Sequence, residues 1–463
     1  MQPLLEIGQI FMTTFILALF MPIFWIVLFL VYLQYKRQVA IEEKLYGRVI
    51  NGVGRQMLLS VGLGALGGLF ASAALIFLGL SLEQIGLYFI WPVALLLLLI
   101  NPRYLCFAYA GGIVAVMVLF ARHIFEPLFP AIGENIVIES LLQIHIPALL
   151  VLIGLLHLIE ALLIYVGGHW GTSPIYIKKR GGDVVGAFTL QRFWPLPLVA
   201  LLVTVVAQTD IVGVSMPDWW PILQSTLQPG DAQSLQYMII PVAAGLGYAD
   251  IAMSSTPRER TVFSARWLAV YSIILLIIAV GSEFMPRLVF PGVLFAPLGH
   301  ELLILFGKKK EDSRPPRFRM PELGVPIMMV LPGTAADEAG LKDNDLILKV
   351  NGNEVADNRD LVHEIEGSYF MVLLEGVREG MPFSFILKKR SRGETLDKGL
   401  YLASLKSDST DAFLHRSAEL GLIPVPDPNS TVYLEIRKPD PLGRFRRLKE
   451  KILKLAGHNF KMR

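Results

Sequence analysis

Histidine and glutamate residues within apolar segments are the first candidates for chemistry. His300 and Glu301 begin the pattern of an intramembrane zinc protease, which places two histidines four residues apart on one helix with a glutamate as base. Ile304 occupies the position of the second histidine, and Ala161 lies four residues after His157. The sequence therefore predicts no metal site and no cofactor, and it predicts that the protein is not an enzyme.

His157 and Glu160 are three residues apart, so they share one face of an apolar helix. Ionisable residues at membrane depth indicate function, such as a proton relay or a substrate site. Glu160 lies near the predicted cytoplasmic end of its segment, where it can reach the membrane interface or bond to a neighbouring helix. We favour a structural role for this pair, and a transporter or channel with a soluble regulatory domain remains an alternative.

The elements that hold these residues are apolar segments of membrane-spanning length. Hydrophobic residues make up 54% of the 463 residues and charged residues 17%, whereas soluble proteins carry about 25% charged residues. An α-helical polytopic membrane domain of about 8–9 helices is predicted over residues 1–307. Its candidate spans are 11–33, 57–80, 85–100, 104–120, 146–166, 194–212, 238–253, 262–280 and 288–306.

Two further features of this domain concern packing and topology. Gly64 and Gly68 form a small-xxx-small pair that predicts a helix-packing face. Residues 171–193 predict a basic cytoplasmic β-hairpin with a Gly-Gly turn, suited to contact anionic lipid or an acidic partner. The alternation of basic and acidic loops places the N-terminus outside and the C-terminal part in the cytoplasm.

A soluble α/β unit is predicted after the membrane domain. An apolar run at 325–331 predicts a strand that Pro332-Gly333 ends, and a short helix follows up to Gly340. Residues 346–350 predict a second strand, before a tight turn at 351–352. This order resembles a bacterial PDZ domain, a small partly open β-barrel with helices, over residues 321–404. The residues that carry the resemblance are Gly324, Pro332, Ala336, Ala339, Gly340, Leu341, Asp345, Ile347, Val350, Asn351 and Gly352.

The PDZ resemblance implies a site for an extended peptide, which adds a strand to a sheet edge beside a helix. The edge strand starts in the loop 322–325, where backbone donors would take a C-terminal carboxylate, and the facing helix is 358–366. Pro326 lacks an N–H and removes one donor from this edge. In the alternative, the groove is closed or used within the chain. The expected groove residues are Leu323, Gly324, Val325, Ile327, Leu361, Val362 and Ile365.

The remaining segments are a charged linker at 308–320 and a cytoplasmic tail at 405–463. A helix at 410–420 and a strand at 431–437 are predicted in this tail. A basic amphipathic helix near 441–459 is predicted to lie on anionic membrane lipid or to pack on the PDZ-like domain. The basic stretch is short and attached to a membrane anchor, so nucleic acid is not an expected partner.

Short motifs across the chain resemble the MinJ-like proteins of Gram-positive bacteria. They are HLIEA at 157–161, VVGAF at 184–188 with LQ at 190–191 and WP at 194–195, and GHELL at 299–303. The resemblance implies a topological determinant of cell division. Such a protein links the DivIVA scaffold to the MinD ATPase and the MinC inhibitor at the poles and septum.

The resulting expectation is a membrane-anchored protein–protein interaction adaptor. It would be a multi-pass protein of the cell membrane, enriched at the division septum and poles. Its partners would be membrane lipids, division-site proteins and a peptide or protein ligand of the PDZ-like domain. A second alternative is a regulator of membrane proteolysis that presents unfolded C-termini to a separate protease.

Overall fold

The computed structural model describes residues 2–128, 135–179, 182–210, 214, 216–231, 233–368, 370–388, 417–431 and 433–434. An N-terminal domain combines apolar helices with a three-stranded sheet, and a six-stranded sheet follows it. The predicted amphipathic helix near 441–459 and most of the predicted helix at 410–420 lie outside the described residues, as does most of the predicted strand at 431–437.

The helices of the N-terminal domain are arranged around one that is largely buried. They are α1 (Gln2–Phe20), α2 (Pro22–Tyr46), α3 (Val53–Leu78), α4 (Leu87–Ile100), α5 (Phe107–Phe120), α6 (Glu126–Leu128), α7 (Ile136–Leu142), α8 (Ile146–Gly167), α9 (Pro257–Phe284) and α10 (Val289–Asp312). Five helical segments in the described part are long and apolar enough to cross a membrane, or up to six if the bent pair α1 and α2 is one span. The central helix is α8, because 72% of its most hydrophobic 18-residue stretch is buried inside the protein.

Two predicted spans are wrong, because they lie in strands. The strands of the N-terminal sheet are β1 (Ser173–Lys178), β2 (Val184–Ala207) and β3 (Gln233–Ala252), and all neighbours are antiparallel. The predicted helix 194–212 lies largely in β2, and the predicted helix 238–253 lies in β3. A continuous apolar run fits a buried strand as well as a helix. Proline is also unfavourable in the interior of a helix, and these two segments contain Pro195, Pro197 and Pro241. The hairpin predicted at 171–193 is formed by β1 and the start of β2.

Helix α3 packs directly against the edge of β2 that β3 leaves open. A Cβ atom added at Gly64 would collide with the carbonyl oxygen of Pro195, and one added at Gly68 would collide with that of Pro197. The register fits because four helical residues rise about 6 Å and two strand residues rise about 6.6 Å. The predicted small-residue face therefore packs on a strand rather than on a helix.

The backbone groups along this edge of β2 have few free donors. Pro195 and Pro197 have no N–H to satisfy. The N–H of Val199 donates to Ser72 Oγ at 2.8 Å, and that of Val203 donates to Glu83 Oε1 at 3.0 Å. An apolar environment leaves unpaired backbone groups costly. Side chains and prolines thus close an edge that a strand would otherwise leave exposed.

The C-terminal domain contains the predicted strands at 325–331 and 346–350 and the predicted helices up to Gly340 and at 358–366. It also has strands that the sequence analysis did not place, and one strand is added from outside the predicted range 321–404. Its elements are β4 (Val325–Val330), α11 (Ala335–Glu338), β5 (Leu346–Val350), β6 (Asn353–Glu354), α12 (Asn358–Glu366), β7 (Met371–Arg378), β8 (Met381–Lys388) and β9 (Leu422–Pro424). The strand order is β8-β7-β5-β4-β9, with β6 paired to β5. The added strand is β9, which comes from far along the chain and forms one edge of the sheet.

Candidate functional site

The residues predicted to form a peptide groove are mostly in the interior of the C-terminal domain. Val325, Ile327, Leu361 and Ile365 share one buried apolar core. Val362 is also buried but lies outside that core. Strand β4 has β5 on one side and β9 on the other. It is therefore not an edge strand, and a peptide cannot add to it while β9 is in place.

The loop before β4 also differs from the expected carboxylate-binding loop. Gly324 has φ +82°, and a Cβ atom there would lie 2.8 Å from the carbonyl oxygen of Ile347 in β5. The glycine is needed because the loop packs tightly on β5 in a left-handed conformation. The neighbouring Leu323 is 69% exposed. Gly324 therefore packs on β5, whereas the Leu323 side chain is exposed.

Strand β9 takes the edge position next to β4. It is antiparallel to β4, and the pairs include Met329 with Ile423 and Val330 with Leu422. Gly421, directly before β9, has φ +91°. The sequence Glu-Leu-Gly followed by an aliphatic residue occurs at 322–325 and again at 419–422. The repeated pattern is the signal that would have indicated this second strand start.

Helix α12 holds the end of β9 through its first turn. The side chain of Asn358 donates from Nδ2 to the carbonyl oxygen of Val425 at 2.8 Å. The backbone N–H of Asn358 donates to Asp427 Oδ1 at 3.4 Å. Burial raises the pKa of Asp427, and the nearby Asp357 carboxylate raises it further. The candidate ligand-binding edge therefore consists of β9 and α12.

Adjacent residues of β9 face two different cores. Leu422 belongs to the core of the C-terminal domain, whereas Ile423 and Val425 belong to the core of the N-terminal domain. All three side chains are at most 1% exposed. This alternation is the two-residue period of a strand. It means that β9 is packed between the two domains.

Hydrogen bonds fix the segment containing β9 to the N-terminal domain. The hydroxyl of Tyr176 in β1 donates to the carbonyl oxygen of Pro424 at 2.7 Å. Arg48 Nη1 donates to the carbonyl oxygen of Ala418 at 3.0 Å. The N–H of Val184 donates to the carbonyl oxygen of Pro428 at 2.9 Å. The contacts lie before, within and after β9, so the whole segment is docked.

The docked edge keeps little capacity to pair with another strand. Residues of an antiparallel pair direct their backbone groups alternately to the partner and away from it. The N–H of Leu331 bonds to the carbonyl of Gly421, so Leu422 directs its N–H and C=O outward. Pro424 has no N–H, and its carbonyl already accepts the Tyr176 hydroxyl. The structure thus corresponds to the alternative in which the chain uses this edge internally.

Comparison with known protein families identifies the C-terminal domain. The PDZ domain family model matches residues 312–370. The chain therefore combines an N-terminal domain of apolar helices with a C-terminal PDZ domain.

Similarity to known proteins also extends over most of the chain. The chain is 24% identical over 398 residues to the "Cell division topological determinant MinJ" of Bacillus subtilis (strain 168), covering 84% of this chain and 94% of the relative. It is 26% identical over 276 residues to the "Probable cell division topological determinant MinJ" of Lacticaseibacillus paracasei, covering 55% of this chain and 66% of the relative. The predicted resemblance to MinJ-like PDZ proteins of Gram-positive cell division is confirmed.

Proposed function

We propose that this protein is a membrane-anchored topological determinant of cell division that acts as an adaptor and not as an enzyme. The observation that carries the proposal is the similarity to MinJ over 94% of that protein, which includes both domains. The adaptor would link a DivIVA-like scaffold at the poles and septum to a MinD-like ATPase and its MinC inhibitor. Interaction surfaces, rather than a catalytic centre, would perform this task.

Membrane insertion of the N-terminal domain is part of the proposal. Its support is the five helical segments of spanning length and the closed edge of β2, which leaves few backbone groups unpaired beside α3. The expected orientation places the PDZ domain in the cytoplasm, because basic and acidic loops alternate along the chain.

The docked state of β9 indicates how the PDZ domain would meet a partner. A ligand that adds a strand at β9 needs the outward groups of Leu422 and the carbonyl of Pro424, which Tyr176 now occupies. We therefore infer that partner binding at this edge competes with docking on the β1–β2 hairpin. Membrane anchoring raises the effective concentration of the domain for partners on the same membrane.

Live-cell fluorescence localisation of the full chain tests the proposed function. A fusion protein should form a band at division sites and foci at the poles, and this pattern should depend on the scaffold. Deleting residues 321–425, which contain β4 to β9, should leave the protein in the membrane fraction but release the MinD-like partner from these sites. A uniform membrane signal, or normal partner localisation after the deletion, would contradict the adaptor function.

A further inference from the structure

Three potential metal ligands from three different helices meet inside the N-terminal domain. Cys106 caps the start of α5, His157 lies in the middle of α8, and His300 lies in α10. The Cys106 Sγ atom is 3.1 Å from His157 Nε2 and 4.0 Å from His300 Nε2. The three ligand atoms all lie within 4.8 Å of one another. Ligands of one tetrahedral ion with bonds of 2.0–2.3 Å are separated by about 3.5 Å, so the cluster is close to the required size.

The orientation of His157 prepares one nitrogen for a metal. Its Nδ1 atom is 2.7 Å from the carbonyl oxygen of Ile153, one turn earlier in α8. The carbonyl can only accept, so Nδ1 carries the proton and Nε2 keeps its lone pair facing Cys106. A hydrogen bond from the other ring nitrogen to a carbonyl is the usual support of a metal-binding histidine.

His300 provides the second argument, because its polar atoms are poorly satisfied. Its Nδ1 atom is buried and has no hydrogen-bond partner among the described residues. Its Nε2 atom is 4.0 Å from the Cys106 sulfur, which is long for a hydrogen bond. The ion itself would bind Nε2, the nitrogen that faces the sulfur. Binding there would fix the proton of His300 on Nδ1, the nitrogen that points away from the ion.

We propose that Cys106, His157 and His300 bind one thiophilic metal ion, either Zn²⁺ or Cu⁺. A thiolate with two imidazoles suits these ions, whereas Mg²⁺ and Ca²⁺ prefer oxygen ligands. Glu160, which shares a helix face with His157 in sequence, is not part of the ligand cluster. The bound ion would join α5, α8 and α10 at one point and stabilise the N-terminal domain.

The proposed site differs from the sequence prediction of no metal. The prediction considered only paired ligands on one helix and cysteine clusters. The actual ligands are 51 and 194 residues from Cys106 in sequence. No local spacing rule connects them, and only the packing of three helices brings them together.

Metal analysis of the purified full chain tests the proposal. The protein should be purified in detergent through a tag without histidines, and its zinc and copper content measured by inductively coupled plasma mass spectrometry. We expect one ion per chain in the unaltered protein and loss of most of it in Cys106→Ser and His300→Asn. His123→Ala is the matched control, because His123 lies in the same domain but outside the cluster.

Two further measurements keep the test valid if a variant folds poorly. Chelation of the unaltered protein should lower its thermal midpoint by about 5 °C, and Zn²⁺ or Cu⁺ should restore it. X-ray absorption should show one sulfur ligand at about 2.3 Å and nitrogen ligands at about 2.0 Å. A metal content equal to that of Cys106→Ser, together with a thermal midpoint that chelation and added metal leave unchanged, would overturn the proposal.

Discussion

The two sheets of this protein each have an edge that is covered, but in different ways. The edge of β2 is covered by α3, whose glycines touch the carbonyl oxygens of Pro195 and Pro197. The edge strand β9 of the PDZ domain is covered by the β1–β2 hairpin through the Tyr176 hydroxyl and two buried aliphatic side chains. The first edge has almost no donors left, whereas the second keeps the outward backbone groups of Leu422.

The difference indicates that one edge is permanent and the other can be released. At the first edge, the α3 backbone packs directly on the β2 backbone at its glycines. Moving α3 away from β2 would leave a gap that no side chain can fill, so the N-terminal domain would lose its packing. A docked edge held by a few hydrogen bonds of about 1 kcal/mol each and by the burial of Ile423 and Val425 can open while both domains stay folded. The predictions below test this contrast, starting with the largest expected effect.

The permanent edge should not tolerate a side chain on α3. Gly68→Leu would drive a side chain into the carbonyl of Pro197, and we expect a loss of about 4 kcal/mol or more, or no folded protein. Yield and thermal unfolding in detergent measure this effect. Gly62→Leu, on the same helix with nothing within 4 Å of the added Cβ, is the control and should behave like the unaltered protein.

Adjacent residues of β9 should separate PDZ stability from docking. Leu422→Ala should destabilise the PDZ domain by about 3 kcal/mol, because the side chain is buried in that domain's own core. Ile423→Ala should leave that core intact and weaken only the contact with the N-terminal domain. Hydrogen exchange of β5 and β7 should rise in the first variant and not in the second. Equal exchange in both would contradict the assignment of two faces.

Removing one hydroxyl should loosen the releasable edge by a smaller amount. Tyr176→Phe deletes the hydrogen bond to the Pro424 carbonyl, and we expect docking to weaken by about 1 kcal/mol. Faster hydrogen exchange at β9 would show this, with β2 and β3 unchanged. Tyr165→Phe, at an exposed tyrosine of α8, is the control and should leave β9 unaffected.

The smallest expected effect concerns pH. Burial raises the pKa of Asp427, the hydrogen bond from Asn358 opposes this, and the Asp357 carboxylate raises it further. Because these partners lie on α12, the protonated form favours packing of the end of the β9 segment on α12, which should strengthen as the pH falls through this raised pKa and weaken above it. Asp427→Asn should tighten this packing at neutral pH and remove its pH dependence, measured by exchange at Val425. Asp183→Asn, an exposed residue of the hairpin turn, should leave both unchanged.

The contrast between the two edges also marks what the sequence can predict. Strands β4 and β5 and helix α12 were predictable because Pro332-Gly333, Gly340 and Asn351-Gly352 set their ends locally. Strands β2 and β3 were not, because a long apolar run fits a buried strand as well as a spanning helix.

Long-range pairing at the candidate site could not be predicted from the sequence. Strand β9 reaches β4 only through tertiary structure. Strand β4, which contains Val325 and Ile327, is therefore an inner strand of the sheet and not the predicted edge strand, and both side chains are buried. The repeated Glu-Leu-Gly pattern at 419–422 was available in the sequence, but its pairing partner was not. The cluster of Cys106, His157 and His300 is hidden for the same reason.

The most direct test of a releasable PDZ edge is hydrogen–deuterium exchange of the unaltered full chain in lipid nanodiscs, followed by mass spectrometry. We predict that the amides of β2 beyond residue 194 stay protected for the longest times. We also predict that the amides of Val184 and Leu434, which bond across the docked contact, exchange well before global unfolding, together with the outward amide of Leu422 in β9. If these amides are as protected as β2, or if β2 exchanges first, the PDZ edge is not more readily released than the edge of β2, which would contradict the proposed difference.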